Sequence, residues 1–436
     1  MATPAAMNPA PERSPVNTPN TVGALNGPNG SNVSSTCAAL NPFTPDAPDA
    51  LNALNALIGQ PVAHIDTPAA VVDLDAMERN IARMADFARQ HRVRWRPHAK
   101  LHKSAALALQ LQRAGACGAC VQKTSEAEAL AAGGVLDLYI SNEVVDPAKL
   151  RRVARLAAWL AGRGGQLALA VDSSEGIARL AAAMAEAGSG ARIGVFVEID
   201  VGQGRCGVPP GAPAAALAHA VAAHAPALRF AGLQAYHGGA QHMVSSAARR
   251  AAIDAVVQAA AHTRDLIESQ GLPVPLVTGA GTGTLVHEAA SGVFGELQAG
   301  SFLFMDADYA HNEPAPGQPV FEHALFIATQ VVSVRSAHAV CDAGHKSHAI
   351  DSGLPLVAER APGQALHYAN GGDEHGLLTC ADAGAVLPAL GDKRWLVPGH
   401  CDPTVNLHDV LLGVRGGLQH GVLECCIRVD ARGALT

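Results

Sequence analysis

Short apolar runs alternate with amphipathic stretches from Thr67 to about Asn312, and this alternation predicts repeated strand–helix units. Asp146-Pro147, for example, is typical of a helix start. The eight strand candidates are Ala69–Leu74, Val93–Arg96, Cys117–Val121, Asp137–Ser141, Leu167–Val171, Ile193–Asp200, Leu228–Tyr236 and Pro275–Thr278. Eight such units in about 220 residues favour a closed parallel (β/α)8 barrel over an open doubly wound sheet.

After about Asn312 the helical period fades, and strand-like runs follow one another with Gly, Pro and Asp turns between them. The candidates are Ala324–Val334, Ala337–Asp342, Lys393–Val397 and Leu423–Val429. We therefore predict an α/β fold with a barrel domain over residues 59–312 and a mostly β domain over residues 313–436. A cleft between that domain and the strand ends of the barrel is the natural place for a small-molecule site.

Residues 1–58 are rich in Pro, Asn, Ala, Ser and Thr and have neither a helical nor a strand period. A segment of this composition cannot bury enough apolar surface to fold alone. We predict that it is a disordered tail.

Composition excludes several classes of function for this chain of 436 residues. Its formal net charge is −7, whereas a nucleic-acid or anionic-membrane partner needs a basic face. No apolar run approaches the roughly 20 residues that span a bilayer, and residues 1–20 do not resemble a secretory signal. A cytoplasmic protein with no nucleic-acid or membrane partner is the expectation.

Nine cysteines, an odd number, occur mostly inside apolar runs, which favours small core residues over disulfides. Cys117 and Cys120 have the spacing of a redox pair, but their context indicates a buried strand, and no second CxxC completes a zinc site. We interpret them as structural.

The octapeptide Arg96–Lys103 places lysines and histidines at the carboxyl end of a predicted strand. Burial lowers the pKa of a lysine, so that Lys100 there could hold a carbonyl cofactor through its amine. A basic surface loop is the alternative. Further polar side chains follow the other predicted strands, a bias that packing alone does not explain.

The run Gly279–Thr284 could hold a phosphate, although it fails both the GxGxxG and the P-loop patterns. After the last predicted barrel strand, its backbone N–H groups and the Thr282 hydroxyl would offer hydrogen bonds, and Gly300-Ser301 would add more. Each run alone is more typical of an ordinary turn. With Lys100, they suggest an aldehyde cofactor that carries a phosphate.

The segment Pro398–Pro403 brings a histidine and a carboxylate close together in the chain. In an extended segment, His400 and Asp402 point the same way and Cys401 points the other way. One imidazole and one carboxylate form an incomplete shell that suits Mg²⁺, Mn²⁺ or Zn²⁺. The alternative is a turn in which both side chains only cap the backbone.

Together these motifs resemble one enzyme family. They are Arg-Pro-His-Ala-Lys100, Gln122-Lys-x-Ser-Glu126, Asn142-Glu143-Val, Glu198-Ile-Asp200-x-Gly-x-Gly-Arg205-Cys-Gly, Gln234-Ala-Tyr236, Gly281-Thr-Gly283, Met305-Asp-Ala-Asp-Tyr309 and Pro398-Gly-His400-Cys-Asp402-Pro-Thr404. In order, over residues 65 to 425, they are similar to fold-type III pyridoxal-phosphate enzymes with an alanine racemase N-terminal domain. The similar branch contains D-threonine aldolase, 3-hydroxy-D-aspartate aldolase and metal-activated D-serine dehydratases.

The resemblance implies a role for each matching residue. Lys100 would be the Schiff-base lysine and His98 a possible base. Cofactor contacts would come from Gln122, Arg205, Tyr236, Gly281, Thr282, Gly283, Gly300 and Ser301. His400 and Asp402 would bind the metal. The dehydratases tend to place a cysteine two residues after the histidine, and Asp402 in that place favours an aldolase that uses a hard cation.

The activity implied is retro-aldol cleavage of D-3-hydroxy amino acids, with 3-hydroxy-D-aspartate or D-threonine giving glycine plus glyoxylate or acetaldehyde. A D-serine or 3-hydroxy-D-aspartate dehydratase that releases ammonia is the alternative. A non-catalytic pyridoxal-phosphate carrier is a third reading, although a carrier needs no metal site. The resemblance also implies a homodimer.

Overall fold

Strands alternate with helices through the first two thirds of the computed structural model, which describes residues 55–358, 365–382 and 385–436. The strands in chain order are β1 (Ala69–Asp73), β2 (Arg94–Trp95), β3 (Ala119–Val121), β4 (Asp137–Ile140), β5 (Gln166–Val171), β6 (Ile193–Glu198), β7 (Leu228–Ala235), β8 (Val277–Gly279) and β9 (Glu296–Leu297). The helices of this part are Leu74–His91, Ala105–Arg113, Thr124–Ala132, Pro147–Ala161, Ser174–Ala187, Ala212–Ala223, Ser246–Ser269, Leu285–Ala290 and Ala307–Ala310.

Eight of these strands form one parallel sheet in the order β2-β9-β8-β7-β6-β5-β4-β3. The chain just after β2 then meets β3: His98 and Cys120 form a parallel bridge, and the Cys120 N–H donates to the Pro97 carbonyl at 2.9 Å. This bridge joins the two ends of the sheet. The predicted (β/α)8 barrel is therefore confirmed.

One predicted barrel strand is wrong. β1 pairs antiparallel with a strand of the second sheet, for example Val71 with Phe326, and the eighth barrel strand is instead β9. An apolar run does not specify its partner, and Ala70–Val72 are buried in either sheet. β9 escaped prediction because it has two residues, one of them the buried Glu296.

The second sheet contains β1 and the strands after residue 320. These are β10 (Leu325–Val334), β11 (Ala339–Cys341), β12 (Leu356–Val357), β13 (Leu366–Asn370), β14 (Gly376–Cys380), β15 (Lys393–Val397), β16 (Val410–Arg415) and β17 (Val422–Arg428). Their order is β13-β14-β11-β10-β1-β16-β17, with β12 and β15 beside β10. Two short helices, Cys401–Val405 and Gly417–His420, interrupt them. The mostly β character is confirmed, whereas the boundary between residues 312 and 313 stays a prediction.

The amino end of the barrel is closed by ion pairs. Glu296 is fully buried and contacts Arg96 (Nε to Oε1, 3.1 Å) and Arg94 (Nη2 to Oε2, 2.8 Å). Arg96 also pairs with Asp137, and the Thr278 hydroxyl donates to Glu296 at 3.1 Å. Arg94, Arg96, Asp137 and Glu296 therefore each have a partner of opposite charge.

The helices pack around the barrel through apolar faces. The Asp73 carboxylate caps helix Leu74–His91 by accepting from the Ala76 N–H at 3.0 Å, and Met77 and Met84 of that helix are buried. Burial of each such side chain stabilises the fold by about 1.5–3 kcal/mol. Within the described ranges, no helix has both the length and the apolar character to cross a membrane.

Candidate active site

A cavity of about 450 Å³ opens at the carboxyl ends of the barrel strands, against the turn that begins helix Cys401–Val405. Eleven of the twelve predicted site residues line it: His98, Lys100, Gln122, Arg205, Tyr236, Gly281, Thr282, Gly300, Ser301, His400 and Asp402. Gly283 does not belong to its wall. The fold thus brings together residues up to 304 positions apart, from His98 to Asp402.

Lys100 lies in a 3-10 turn, Ala99–Leu101, directly after β2. Its Nζ is 3.2 Å from Asp402 Oδ2. The negative charge of Asp402 raises the pKa of Lys100 and outweighs burial, which acts to lower it. The sequence-based expectation that burial lowers the pKa of Lys100 is therefore wrong in the absence of bound cofactor. The sequence did not reveal that the Asp402 carboxylate lies beside the amine.

His98 lines the same part of the cavity and is buried. Its Nδ1 accepts from the Lys100 backbone N–H at 3.4 Å, and its Nε2 lies 3.3 Å from the Ser141 hydroxyl and 3.0 Å from Gln122 Nε2. Burial, reinforced by the charge of Lys100, lowers the pKa of His98 well below its ordinary value. The ring is therefore neutral at physiological pH, as a proton acceptor must be.

Two loops offer unpaired backbone donors to the cavity. Among the described residues, no acceptor takes the N–H groups of Gly281, Thr282, Gly300 and Ser301. The Thr282 hydroxyl accepts from the Phe302 N–H at 2.9 Å and so ties the two loops together. A side chain at position 300 would come within 2.8 Å of the His98 carbonyl, which requires glycine there. Converging N–H groups of this kind bind phosphate.

Gly283 differs from its neighbours because its N–H donates to Gln241 Oε1 at 3.0 Å. Gln241 in turn donates to the Thr284 hydroxyl at 2.9 Å, and Thr284 donates to the buried Glu288 at 2.7 Å. Gly283 therefore supports the loop from behind. The motif alone could not distinguish the role of Gly283 from that of Gly281. The two glycines differ in whether the backbone N–H is bonded to Gln241 or has no acceptor among the described residues.

Arg205, Tyr236 and Gln122 stand on the remaining walls. The Arg205 guanidinium lies 5.9 Å from the centre of the Tyr236 ring, and burial raises the pKa of the Tyr236 hydroxyl. Gln122 Nε2 donates to the Ser141 hydroxyl at 3.1 Å. These side chains line the cavity together with Lys100 and the two loops, which is where the resemblance places the pyridine ring.

His400 and Asp402 approach each other, His400 Nε2 lying 3.8 Å from Asp402 Oδ1. That oxygen is buried and has no hydrogen-bond partner among the described residues. The local backbone differs from the prediction: His400 is extended, but Cys401–Val405 is a short helix, so Asp402 reaches the histidine from the first helical turn. A nitrogen and an unsatisfied carboxylate oxygen facing one point are a suitable donor pair for a divalent cation.

Charge balances this pair. Burial alone would raise the pKa of Asp402, but the charges of Lys100 and His400 outweigh it and the pKa is lowered. Burial likewise acts to lower the pKa of His400, yet its hydrogen bond to Asp306 and the charge of Asp402 raise it. Asp402 is therefore an anion held between Lys100 and His400.

Asp306 is the site residue that sequence reasoning missed. It is fully buried, and its Oδ2 accepts from His400 Nδ1 at 2.8 Å and from the Cys401 N–H at 2.9 Å. Its Oδ1 accepts from the Tyr309 N–H at 3.0 Å. A carboxylate on Nδ1 directs Nε2 of a metal-binding histidine toward the ion. The paired acids of Met305-Asp-Ala-Asp-Tyr309 were the available signal, but only the fold shows which one faces His400.

A third histidine lines the cavity in addition to His98 and His400, and it was not predicted. His242 Nδ1 lies 2.6 Å from Asp308 Oδ2, and its ring is tilted against Tyr309. Oxygens of Asp306 and Asp308 and a nitrogen of His400 lie within 4.8 Å of one another, so Asp308 is a further acid near the candidate metal position.

Two family models match separate parts of the chain. Residues 72–308 match the alanine racemase N-terminal domain, and residues 324–414 match the putative serine dehydratase domain. The first covers the barrel with its loops, and the second covers most of the sheet that carries His400 and Asp402.

Individual proteins are also similar over most of their length. A 3-hydroxy-D-aspartate aldolase of Paracoccus denitrificans is 44% identical over 383 residues, which are 86% of this chain and 95% of that protein. A D-threonine aldolase of Arthrobacter is 43% identical with the same coverage. The crystal structure of D-threonine aldolase from Filomicrobium marinum has a TM-score of 0.81 at 46% identity and covers 87% of this chain and 99% of its own. The chain belongs to the alanine racemase N-terminal domain family, in the branch of D-threonine aldolase and 3-hydroxy-D-aspartate aldolase.

Proposed function

We propose that this protein is a pyridoxal-phosphate and divalent-metal-dependent aldolase that cleaves D-3-hydroxy amino acids. Its substrate would be 3-hydroxy-D-aspartate or D-threonine, and the products glycine plus glyoxylate or acetaldehyde. The observation that carries the proposal is the convergence of Lys100, His400 and Asp402 in one cavity, with an unsatisfied Asp402 oxygen beside His400. The similar aldolases support the carbon–carbon lyase class.

The residues present fit the cofactor. Lys100 Nζ is the amine that would bond its aldehyde, the free N–H groups around Gly281 and Gly300 would bind its phosphate, and Tyr236 and Arg205 would flank its ring. When bound, such a ring accepts the electrons of a bond that breaks at the substrate Cα. The chain itself supplies position and charge around that ring.

The residues also fit a divalent cation. His400 Nε2 and Asp402 Oδ1 would be its protein ligands, with Asp306 fixing the imidazole from the other side. A hard cation such as Mg²⁺ or Mn²⁺ suits one nitrogen and one carboxylate, and Zn²⁺ is compatible with them. Bound there, it would make the β-hydroxyl of the substrate more acidic.

The neutral His98 is the histidine we assign to proton transfer. Its pKa is low enough to keep it unprotonated at physiological pH, and it stands beside Lys100 on the cavity wall. Ser141 and Gln122 hold its ring in place by contacts at Nε2. Removal of the hydroxyl proton on this side would start cleavage between Cα and Cβ.

A dehydratase that releases ammonia from D-serine or 3-hydroxy-D-aspartate is the second candidate. The match of residues 324–414 to the putative serine dehydratase domain favours it. The same residues would serve both reactions, which differ in whether the Cα–Cβ bond or the Cα–H bond of the substrate breaks first. A non-catalytic carrier of the cofactor is a weaker candidate, since it has no use for the His400 and Asp402 pair.

The test is to incubate the holoenzyme with D-threonine, D-serine and both D-3-hydroxyaspartate diastereomers, with and without EDTA. Glycine, aldehyde and ammonia are measured in each reaction. We expect glycine and aldehyde in equal amounts from the threonine or hydroxyaspartate substrate, and none after chelation. Ammonia without glycine would replace the aldolase by the dehydratase, and turnover that survives exhaustive chelation would remove the metal.

Three further expectations stay predictions of the sequence. They are the homodimer, the cytoplasmic location and the division into residues 59–312 and 313–436. The predicted disordered tail, residues 1–58, lies outside the described residues up to residue 54.

A further inference from the structure

Two glutamates beside the cavity have buried carboxyl oxygens without hydrogen-bond partners among the described residues. Glu198 ends β6, is 3% exposed, and its Oε2 has no hydrogen-bond partner among the described residues. Glu143 follows β4, and both of its carboxyl oxygens are buried and equally unpartnered there. An unsatisfied buried carboxylate is costly, so this pair requires an explanation.

The groups around the pair come from three consecutive loops. Arg205 Nη2 lies 3.8 Å from Glu198 Oε1. On the other side, the Asp172 carboxyl accepts from the Gly207 N–H at 3.2 Å, and the Cys206 thiol faces Glu143. Burial raises the pKa of Cys206 to about 11, so the thiol stays neutral at physiological pH. Below the pair, burial raises the pKa of Tyr139 well above its ordinary value. Arg205 is therefore the cationic neighbour of Glu198.

The carboxyl groups of Glu143 and Glu198 lie within hydrogen-bond reach of each other. Two ionised carboxylates offer acceptors only, so a bond between them requires a proton on one of them. We infer that Glu143 and Glu198 share one proton and that the remaining charge of the pair positions Arg205 on the wall of the proposed cofactor cavity. The pair acts through Arg205, and this second part rests on the proposed function.

The surroundings agree with a shared proton. Burial, and then the charge of Glu143, raises the pKa of Glu198 to about 8, while Arg205 opposes the shift only in part. Burial and the charge of Asp172 raise the pKa of Glu143 as well. Such a pair titrates as a unit, so the proton belongs to both residues.

A divalent cation is the competing occupant. One oxygen each of Glu143 and Asp172 and the Cys206 sulfur lie within 4.8 Å of one another. The proton is favoured because Glu198 faces Arg205, and a divalent ion between the acids would repel that guanidinium. Metal analysis separates the two cases.

The first experiment uses the full chain without cofactor and records the infrared C=O stretch of protonated carboxylic acids at neutral pH and well above the pKa of Glu198. Glu288 is a second buried acid, with its pKa raised by burial to about 7, so all variants carry Glu288→Gln. We expect a band that disappears at high pH and is absent in Glu198→Gln and in Glu143→Gln. Glu175→Gln, an exposed ion-pair partner of Arg179, is the matched control and should keep the band.

A band that is unchanged in both glutamine variants would overturn the shared proton. A divalent cation that copurifies with the parent in addition to any held by His400, and is lost in Glu143→Gln, would overturn it too. Use of two positions keeps the test valid where one variant does not fold.

The second experiment measures affinity for pyridoxal phosphate against pH by direct titration. Above the pKa of the pair, a second negative charge beside Arg205 should weaken binding of the anionic cofactor by roughly threefold more in the parent than in Glu198→Gln. Equal pH profiles would show that the pair does not position Arg205. A parent that binds no cofactor at any pH would refute the proposed function and leave the infrared result standing.

Discussion

The two ends of the barrel treat charge in opposite ways. At the amino end, Glu296 contacts Arg94, Arg96 and the Thr278 hydroxyl, so its charge is fully matched. At the carboxyl end, Asp402 keeps one buried oxygen without a partner in the described part of the chain, and the N–H groups of Gly281, Thr282, Gly300 and Ser301 have no acceptor there. The matched groups at the amino end lie on the strands themselves or, for Arg96, directly after one, whereas the unmatched groups at the carboxyl end lie on loops and on a helix start. Matched charge at the amino end holds the fold, whereas unmatched charge at the carboxyl end can bind a ligand.

The largest effect on turnover is expected at the carboxyl end of the barrel, where the cavity opens. Lys100→Ala should lower turnover on the order of 10⁴-fold or more and abolish the absorbance of the lysine-bound cofactor, because no other described amine stands at this place in the cavity. Thermal stability should change little, since Lys100 is 43% exposed in its side chain. Lys149→Ala, on the outer helix Pro147–Ala161, is the control. A cofactor band that survives dialysis of Lys100→Ala would place the anchor elsewhere.

At the amino end of the barrel, substitutions should change the stability of the fold more than turnover. Glu296→Gln leaves Arg96, whose side chain is 6% exposed, with a weakened partner, and should lower the free energy of unfolding by about 3–5 kcal/mol. Denaturant unfolding measures this, and turnover per folded molecule should stay near that of the parent. A large loss of turnover without a loss of stability would show that the two ends are not separate in function.

Asp306 also lies at the carboxyl end of the barrel, but it acts through its hydrogen bond with His400. Asp306→Asn should weaken Mn²⁺ binding roughly 10–100-fold, because an amide holds His400 Nδ1 less strongly than a carboxylate does. Calorimetric titration of the cofactor-free protein measures it. Asp308→Asn provides the comparison, and an equal loss in that variant would make Asp308 a metal ligand in its own right.

The smallest effect is expected on the outer surface, where charges are matched but exposed. Glu322 pairs with Arg79 at 2.7 Å and Arg83 at 2.6 Å, and the hydrogen bond to Arg79 lowers the pKa of Glu322 to about 2. Its contribution is thus present at neutral pH and is lost as the pH falls from its ordinary pKa toward 2. Glu322→Gln should cost under about 1 kcal/mol at neutral pH. Unfolding curves at neutral and acidic pH test this, and a difference that grows in acid would contradict it.

The sequence predicted the barrel well because seven of its strands are apolar runs followed by helices. It failed for two strands whose place in a sheet depends on the neighbouring strand. β1 joins the other sheet, and the short β9 contains a buried charge. Periodicity records burial but does not record which neighbour provides it.

For the site, as for the fold, the sequence predicted the candidate residues but not the contacts between them. Chemical type identified Lys100, His400 and Asp402 as candidates, because amines, imidazoles and carboxylates are the groups that bind such ligands. Sequence could not show that Asp402 would raise the pKa of Lys100, nor that Gln241 would occupy the N–H of Gly283. Both are contacts between segments that lie far apart in the chain.

The place of β1 has a consequence for synthesis on the ribosome. This strand lies between β10 and β16 near the middle of the second sheet, yet it is made about 250 residues before β10. At about 5–20 residues per second, an apolar strand leaves the ribosome on the order of 10 to 50 seconds before β10, the first of its two partners, is made. Both ladders of β1 are therefore long-range contacts, which slow folding. Throughout that interval the nascent chain carries an unpaired strand that a chaperone or a neighbouring chain can capture.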